Sequence, residues 1–239
     1  MHRLRSLTTF ALLAALPLVI PAAAEEPANY TLSPVPAGTV VQNRLVYLRG
    51  EAMHSQWRAV ASKKLAGAAN GTSFYQWYLS IYAIDGTTYH RKYQSPADGG
   101  PLSVVKQATG AKMWFPVQTL QIVGNAELMQ SGVQQLVVQS HETGADCGAA
   151  TVTVFATGSS GKVVPAVSLR NGCDLKATLA PAHGNVRDAI VLSGPYYNAT
   201  APMCCPTKAR ATAVLSYRGG KWIETPKYFA LYPGAFAPE

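Results

Sequence analysis

Apolar and polar residues alternate in short runs along most of the chain, and turn residues separate the runs. The clearest run is Phe74–Ile84, which is rich in aromatic and β-branched residues and is followed by Asp85-Gly86 and then by Thr87–Tyr93. An Asp-Gly pair between two such runs is typical of a β-hairpin, because both turn positions favour positive φ angles. Further strands are predicted at Val40–Leu48, Lys112–Phe115, Thr119–Val123, Gly132–Gln139, Thr151–Phe155, Val163–Leu169, Leu175–Leu179, Ala189–Leu192, Ala209–Tyr217 and Trp222–Glu224. Strands at this spacing predict a mainly β fold, either an antiparallel sandwich or a barrel-like sheet.

One segment near the N-terminus has a different period. Between Glu51 and Ala66, apolar residues recur at steps of three and four, at Met53, Trp57, Val60, Ala61 and Leu65. Gly67 follows as a candidate C-cap, so the pattern predicts one short amphipathic helix. A second strand is the alternative, because the segment is short and lacks a strong N-cap residue.

The first 24 residues have the order of a secretory signal peptide. A basic start, Met1–Arg5, precedes an apolar run from Phe10 to Ile20, and Pro21–Ala24 supplies small residues for cleavage near Ala24. The apolar run is shorter than the roughly 20 residues that span a bilayer, so no stable membrane insertion is expected. We therefore expect a secreted or periplasmic protein with a flexible, proline-containing leader at 25–38 and a single β-rich domain at 39–239.

The composition and charge of the chain restrict its partners. Charged residues make up 13% and hydrophobic residues 48% of the sequence, which argues against general disorder. The formal net charge is +8, but the basic residues are scattered, and the longest basic runs are pairs such as Arg91-Lys92, which argues against a nucleic-acid footprint. The basic excess favours solubility and allows weak attraction to an acidic surface, such as a cell-envelope polymer or an anionic lipid.

Four cysteines in an exported chain predict disulfide bonds. Cys147 and Cys173 flank the predicted hairpin that turns at Gly158–Gly161, and counting outwards from that turn brings them within one residue of facing each other. Facing residues of an antiparallel pair lie at a Cα distance that a disulfide accepts. We therefore expect a Cys147–Cys173 bond at the open end of the hairpin.

The other two cysteines, Cys204 and Cys205, are adjacent in the sequence. A bond between neighbours is strained, because their Cα atoms lie about 3.8 Å apart, below the usual disulfide range. Three interpretations stay open. The pair forms a strained structural bond in the turn Pro202–Pro206, or each cysteine pairs with one of the other two, or the pair is functional, either as a reducible dithiol or, with Met203, as a soft site for monovalent copper.

The sequence around these adjacent cysteines comprises Gly194–Tyr197, Met203–Pro206 and Ala211–Trp222. It resembles a stretch in small secreted bacterial proteins, in which a Cys-Cys-Pro turn precedes a strand, a Gly-Gly-Lys hairpin and an aromatic residue. The resemblance covers about the last quarter of the chain. It implies export and a β fold, and it implies no catalytic residue, because those proteins have no settled activity.

The best local group of metal-ligating residue types is His141, Glu142 and Asp146. Imidazole and carboxylate groups together bind divalent ions. No His-Glu-x-x-His motif or oxygen-rich calcium loop accompanies them in the sequence. A polar loop that leaves a buried strand is the simpler interpretation.

The aromatic run at 74–84 is the second candidate for ligand contacts. Its alternating side chains fall on two faces of a strand, and one face is expected to lie in the core. If the second face is accessible to solvent, its tyrosines form a platform that stacks on sugar rings or peptides. The candidates for this site are Tyr75, Tyr78, Tyr82 and Arg91. Burial of the aromatic residues in the sheet is the simpler interpretation.

Motifs for nucleophilic catalysis are incomplete in the sequence. Gly-x-Ser-x-Gly does not occur, and the Ser-x-x-Lys matches at Ser103 and Ser159 lack an accompanying Lys-Thr-Gly. We therefore expect a non-catalytic binding or envelope-associated module without a cofactor, whose partner is a cell-envelope polymer or another exported protein. The alternative is an enzyme, either a secreted hydrolase with residues from distant loops or a thiol-redox protein that uses Cys204 and Cys205.

Overall fold

The computed structural model describes residues 29–48, 56–69, 71–96, 102, 117–130, 132–142, 149–158, 161–173, 175–181, 187–195, 210–226 and 232–233. Within these ranges the chain forms fourteen β-strands and no α-helix. The strands are β1 (Thr31–Ser33), β2 (Thr39–Tyr47), β3 (Gln56–Ala69), β4 (Thr72–Asp85), β5 (Thr88–Gln94), β6 (Val117–Gln130), β7 (Val133–Glu142), β8 (Ala149–Thr157), β9 (Val163–Cys173), β10 (Lys176–Ala180), β11 (Ala189–Pro195), β12 (Arg210–Arg218), β13 (Lys221–Thr225) and β14 (Tyr232–Pro233).

The strands form three open sheets. The N-terminal sheet has the order β1-β5-β4-β3-β2, the central sheet β14-β9-β8-β7-β6, and the C-terminal sheet β10-β11-β12-β13. Neighbouring strands are antiparallel throughout the described sheets, except that β1 runs parallel to β5. The predicted mainly β class is therefore confirmed, and its form is a stack of three open, mainly antiparallel sheets. The strand predicted at Lys112–Phe115 lies outside the described ranges.

The central sheet is the middle layer and is buried on both faces. The core on one face contains Ala59, Leu79 and Ile81 of the N-terminal sheet and Leu136, Val138 and Phe155 of the central sheet. The core on the other face contains Val137, Val152 and Val154 of the central sheet and Ile190, Leu192 and Leu215 of the C-terminal sheet. Burial on both faces explains why β7 has an unbroken apolar run instead of a simple alternation.

Strand β6 contributes to both cores, because a β-bulge changes the face that its side chains occupy. The pairing of β6 with β7 skips Val123, which lies between Ile122 and Gly124. The extra residue shifts the alternation by one position. As a result, Ile122 enters the core shared with the N-terminal sheet, whereas Leu128 enters the core shared with the C-terminal sheet.

Side chains from the N-terminal sheet protect the outer edge of β6. Because β6 is an edge strand, its outward N–H and C=O groups have no partner strand in the described sheet. The Ile122 N–H donates to Oε1 of Gln42 at 2.7 Å, and Nη1 of Arg44 donates to the carbonyl oxygens of Ile122 at 2.9 Å and Val123 at 2.7 Å. We call these four residues the seam, since they join the edges of β2 and β6 without strand pairing.

The helix predicted for Glu51–Ala66 is wrong for residues 56–66, which belong to β3. Trp57 and Ala59 face the central sheet, whereas Arg58 and Val60 lie on the opposite face, as the period of a strand requires. Both faces of this part of β3 are buried. Apolar residues therefore occur at both odd and even positions of the strand. Their spacing includes steps of three and four residues, which is the pattern that predicts a helix.

Residues 29–38, which belong to the segment predicted as a leader, include a strand at the edge of the N-terminal sheet. Within this segment, β1 pairs with β5 from Thr31 to Ser33. Tyr30 and Leu32 pack against a buried cluster of Val60, Tyr82 and Tyr89. The apolar residues between the prolines give this segment a surface to bury, and its position at the edge of the sheet accommodates the prolines.

The hairpin predicted around Gly158–Gly161 is confirmed as β8 and β9. Its register differs from the predicted one, because the Cα partner of Cys173 is Ala149. Cys147 lies outside the described residues, so its bond with Cys173 stays a prediction. The same holds for the interpretations of Met203, Cys204 and Cys205, which also lie outside the described ranges.

Candidate binding surface

Strands β3 and β4 extend beyond the rest of the N-terminal sheet as a two-stranded hairpin, residues 63–77, which we call the arm. Strand β2 pairs with β3 only as far as Lys63, and β5 pairs with β4 only as far as Ser80. Further out, β3 and β4 pair only with each other in the described structure. All side chains at 64–68 and 71–75 are exposed, so both faces of the arm are open to solvent.

The arm carries exposed apolar side chains on both of its faces. Leu65 is 57% exposed, Phe74 41% and Tyr75 36%. Leu65 and Tyr75 are cross-strand partners and share one face, whereas Phe74 lies on the other. The sequence from Leu65 to Tyr75 contains no charged residue. The outer part of the arm is therefore an uncharged and partly apolar projection.

Further exposed apolar residues lie close to the base of the arm. Val40 and Val41 are at the start of β2, next to the last pair that β2 forms with β3, and Val35 lies in the segment that leads to β2. Together with the three residues on the arm, they make up six of the eight large hydrophobic residues exposed in the described structure. The other two, Val214 and Ile223, lie on the C-terminal sheet. Most of the exposed large hydrophobic residues thus lie on the arm, at the start of β2 and in the segment that leads to β2.

Two lysines lie at the base of the arm. The Nζ atom of Lys63 lies 4.5 Å from the ring centroid of Tyr75 and 5.8 Å from that of Trp77, which are cation–π distances. Lys64 is exposed and, as the next residue in the strand, points to the opposite face. Both faces of the arm therefore have a positive charge behind the uncharged part.

A close backbone contact fixes the base of the arm. Gly38 has a φ angle of +73°, and a Cβ atom there would clash with the carbonyl oxygen of Lys63 and lie 2.9 Å from Cα of Lys64. Glycine alone combines this backbone conformation with this close approach. The segment that leads into β2 therefore lies directly on the backbone of β3 where the arm begins.

The structure does not assemble the predicted tyrosine platform. Tyr75 lies on the arm, on the opposite face of β4 from Tyr78 and Tyr82. Tyr78 and Tyr82 are buried, and the Tyr82 hydroxyl donates to the carbonyl oxygen of Pro34 at 3.0 Å. Arg91 is the cross-strand partner of Tyr82, so the structure brings these two together. Burial raises the pKa of Tyr82, and the hydrogen bonding and positive charge around it offset this only in part.

A buried arginine holds the N-terminal segment on the same face as Tyr82. The guanidinium carbon of Arg58 lies 3.8 Å from the ring centroid of Tyr30 and 5.3 Å from that of Tyr89. Its Nη1 donates to Oδ1 of Asn43 at 2.7 Å, and Nδ2 of Asn43 donates to the Tyr30 hydroxyl at 3.0 Å. These aromatic rings serve the packing of the segment against the sheet, and they leave the arm as the exposed aromatic surface of this sheet.

The structure places two of the three predicted metal ligands, His141 and Glu142, apart from each other. His141 and Glu142 are neighbours in β7, so their side chains point to opposite faces of the central sheet. Nε2 of His141 lies 3.2 Å from the carbonyl oxygen of Leu175, whereas Oε1 of Glu142 accepts a hydrogen bond from the Thr151 hydroxyl at 3.2 Å. Asp146 lies outside the described residues. Among the residues that are described, no group of three His, Cys, Asp or Glu side chains could hold a metal ion.

The sequence contains a signal for the arm that the helical pattern hides. Asn70-Gly71 stands between two runs that form strands, and such a pair is a typical hairpin turn. Gly71 has a φ angle of +76°, in agreement with this turn. The spacing of apolar residues predicts a helix that is capped at Gly67. The predicted element therefore ends three residues before Asn70, and the Asn-Gly pair is not recognised as a turn.

Comparisons with protein-family models, with curated proteins and with solved structures find no match for this chain. Over the ranges given above, no helix has the length and hydropathy to cross a membrane.

Proposed function

We propose that the protein is an exported, non-catalytic binding module of the cell envelope and that the arm is its contact surface. The observation that carries the proposal is the projection of uncharged, partly apolar side chains from an otherwise buried pair of strands. The signal-peptide pattern of residues 1–24 and the predicted disulfide bonds support export.

The stability of the fold does not explain the composition of the arm. An isolated two-stranded hairpin is marginally stable in water, and Leu65, Phe74 and Tyr75 on this hairpin leave 57%, 41% and 36% of their surface exposed. The exposed fraction of these apolar side chains does not stabilise the hairpin, because only buried apolar surface does so. Clustered apolar side chains on a projection, with polar residues around them, are typical of a surface that binds a partner.

The body of the protein is suited to present such a surface. The inner parts of β3 and β4 lie in the core against the central sheet, and Ala61 and Leu79 there are fully buried. Gly38 fixes the segment that crosses the base of the arm. A contact surface that continues from packed strands loses less conformational entropy on binding than a flexible loop does.

Fractionation of cells that express the tagged full-length chain tests this proposal. We expect the protein in the envelope fractions, with the intact mass of a chain that lacks residues 1–24. Recovery in the cytosol at full mass would overturn the export part of the proposal. Processing followed by recovery only as free protein, with none on cell-wall or membrane material, would overturn the binding part.

A further inference from the structure

We infer that the arm docks the protein on an anionic lipid surface. The inference rests on the proposed function and names the partner of the same arm. Two features distinguish a lipid surface from a groove on a partner protein. They are the apolar groups on both faces of the arm and the positive charges at its base.

The distribution of apolar side chains fits a lipid interface that contacts both faces of the arm. Leu65 and Tyr75 project from one face and Phe74 from the other, and all three are exposed. A protein groove that receives a strand or a hairpin edge reads alternate side chains and so favours one face. The boundary between headgroups and acyl chains contacts a projecting hairpin on all sides, and it accepts small uncharged residues such as those between Leu65 and Thr72.

The dimensions of the arm fit an element that lies at the interface. Phe74 and Tyr75 follow Thr72, the first residue of β4, by two and three positions, which is about 7–10 Å along a strand. Interfacial elements enter the boundary region by about 5–10 Å. The outer edges of both strands present N–H and C=O groups that lack a partner strand in the described structure, so headgroups and water must satisfy them. Insertion therefore stops at the interface, because the hydrocarbon core cannot satisfy these groups.

The charges near the arm favour an anionic surface. Lys63 and Lys64 lie behind the uncharged part, and the Lys63 ammonium group lies over the ring of Tyr75. Tyrosine, tryptophan and lysine together are typical of the membrane interface. Each lysine close to an anionic surface strengthens binding about fivefold. Because the sequence between Glu51 and Asp85 contains no acidic residue, no carboxylate of this segment opposes the attraction.

Vesicle co-sedimentation of the processed protein, recovered from the expressing cells, tests the inference. The vesicles consist of phosphatidylcholine alone or of equal parts of phosphatidylcholine and phosphatidylglycerol. We expect binding to the mixed vesicles that is about 25-fold stronger than to the neutral vesicles, since two lysines contribute, and that weakens with added salt. The variant Lys64→Gln should bind the mixed vesicles about fivefold more weakly than the wild type.

A pair of matched double variants separates the arm from general surface hydrophobicity. Leu65→Ser with Phe74→Ser removes two exposed apolar side chains of the arm, and we expect it to weaken binding to the mixed vesicles about tenfold. Val214→Ser with Ile223→Ser removes two side chains of similar exposure, 37% and 40%, from the C-terminal sheet and should leave binding unchanged. Circular dichroism spectra that match the wild type establish that both double variants are folded.

Three results would overturn the inference. They are no binding of the wild type to the mixed vesicles, an equal loss of binding in both double variants, and an arm-dependent dimer in analytical ultracentrifugation that binds no lipid. If the protein still remains with the envelope of cells in any of these cases, the inference fails and the proposed function stands. If it is also absent from every envelope fraction, both fail.

Discussion

Replacing Arg44 by methionine tests the seam that joins the N-terminal and central sheets. Nη1 of Arg44 donates to the carbonyl oxygens of Ile122 and Val123, at 2.9 and 2.7 Å. Both oxygens belong to the bulge of β6, and no described strand pairs with that edge of the central sheet. Methionine retains an unbranched apolar side chain and removes the donor, so the variant isolates the contribution of these two hydrogen bonds.

The expected loss of stability follows from the exposure of the two bonds. A hydrogen bond to a charged group contributes about 1.5–3 kcal/mol when it is well protected from water. The Arg44 side chain is exposed, and water can replace it at the carbonyl of Val123, whereas the bond to Ile122 is partly buried. We therefore expect the free energy of unfolding to fall by about 1–2 kcal/mol. For a chain of this size, the corresponding decrease in Tm is about 2–8 °C.

Urea unfolding followed by circular dichroism measures this effect. We expect a lower midpoint with an unchanged dependence of free energy on urea, because the variant alters a contact and not the surface exposed on unfolding. Arg218→Met is the matched control, since it removes an exposed arginine from β12 and should change stability by less than about 0.5 kcal/mol. The same midpoint for both variants would refute the role assigned to the seam.

Three further substitutions test other parts of the structure. The Tyr93 hydroxyl is buried, has no hydrogen-bond partner in the described structure and has a pKa raised by burial, so Tyr93→Phe should stabilise the protein by about 1 kcal/mol at pH 7. The Tyr93 hydroxyl ionises at a lower pH in the unfolded chain than in the folded one, so the wild type should lose stability as the pH rises above about 10. Urea unfolding at alkaline pH should show that Tyr93→Phe lacks this part of the loss. Gly38→Ala should lower stability by at least about 1–2 kcal/mol, because it places a Cβ at positive φ against the Lys63 carbonyl, and an unchanged Tm would contradict this close approach. Tyr82→Phe should cost about 1 kcal/mol in thermal unfolding through the lost bond to Pro34, and a stability equal to the wild type would show that this bond does not hold the N-terminal segment.

Local patterns in the sequence predict most of the strands but not their layers. The Asp85-Gly86 turn lies between β4 and β5 as predicted, and Gly86 has a φ angle of +60°. The alternation at Thr151–Phe155 likewise corresponds to β8. These elements depend on residues that are close in the sequence, so the local sequence pattern is sufficient to identify them.

The features that the sequence does not predict depend on distant contacts. Residues 56–62, within the segment that reads as a helix, are buried on both faces by two different partners, and the sequence does not record which partner lies on each side. The N-terminal segment reads as a flexible leader because the stack of Tyr30 on Arg58 exists only after folding. The face change of β6 arises from one extra residue, Val123, that has no signature of its own.

The candidate site shows the same limit. The aromatic residues of β4 were identifiable as a candidate surface, but alternation alone does not say which of its faces meets the core. The structure buries Tyr78 and Tyr82 and exposes Tyr75, because β4 continues past its neighbours into the arm. The length of each partner strand, and hence the existence of the arm, is a property of the whole sheet.

Shortening the arm tests the central claim most directly, namely that these residues serve binding and not folding. Lys64 and Gln76 are cross-strand partners, so replacing residues 65–75 by Asn-Gly closes β3 and β4 with a two-residue turn. The two quantities to measure on the full-length shortened chain are its free energy of unfolding and the fraction that remains with the cell envelope. The account predicts a change in stability below about 1 kcal/mol, since the side chains removed at 65–68 and 71–75 are exposed, together with loss of the protein from the envelope fractions. A shortened chain that is equally stable and remains with the envelope as fully as the wild type would contradict it.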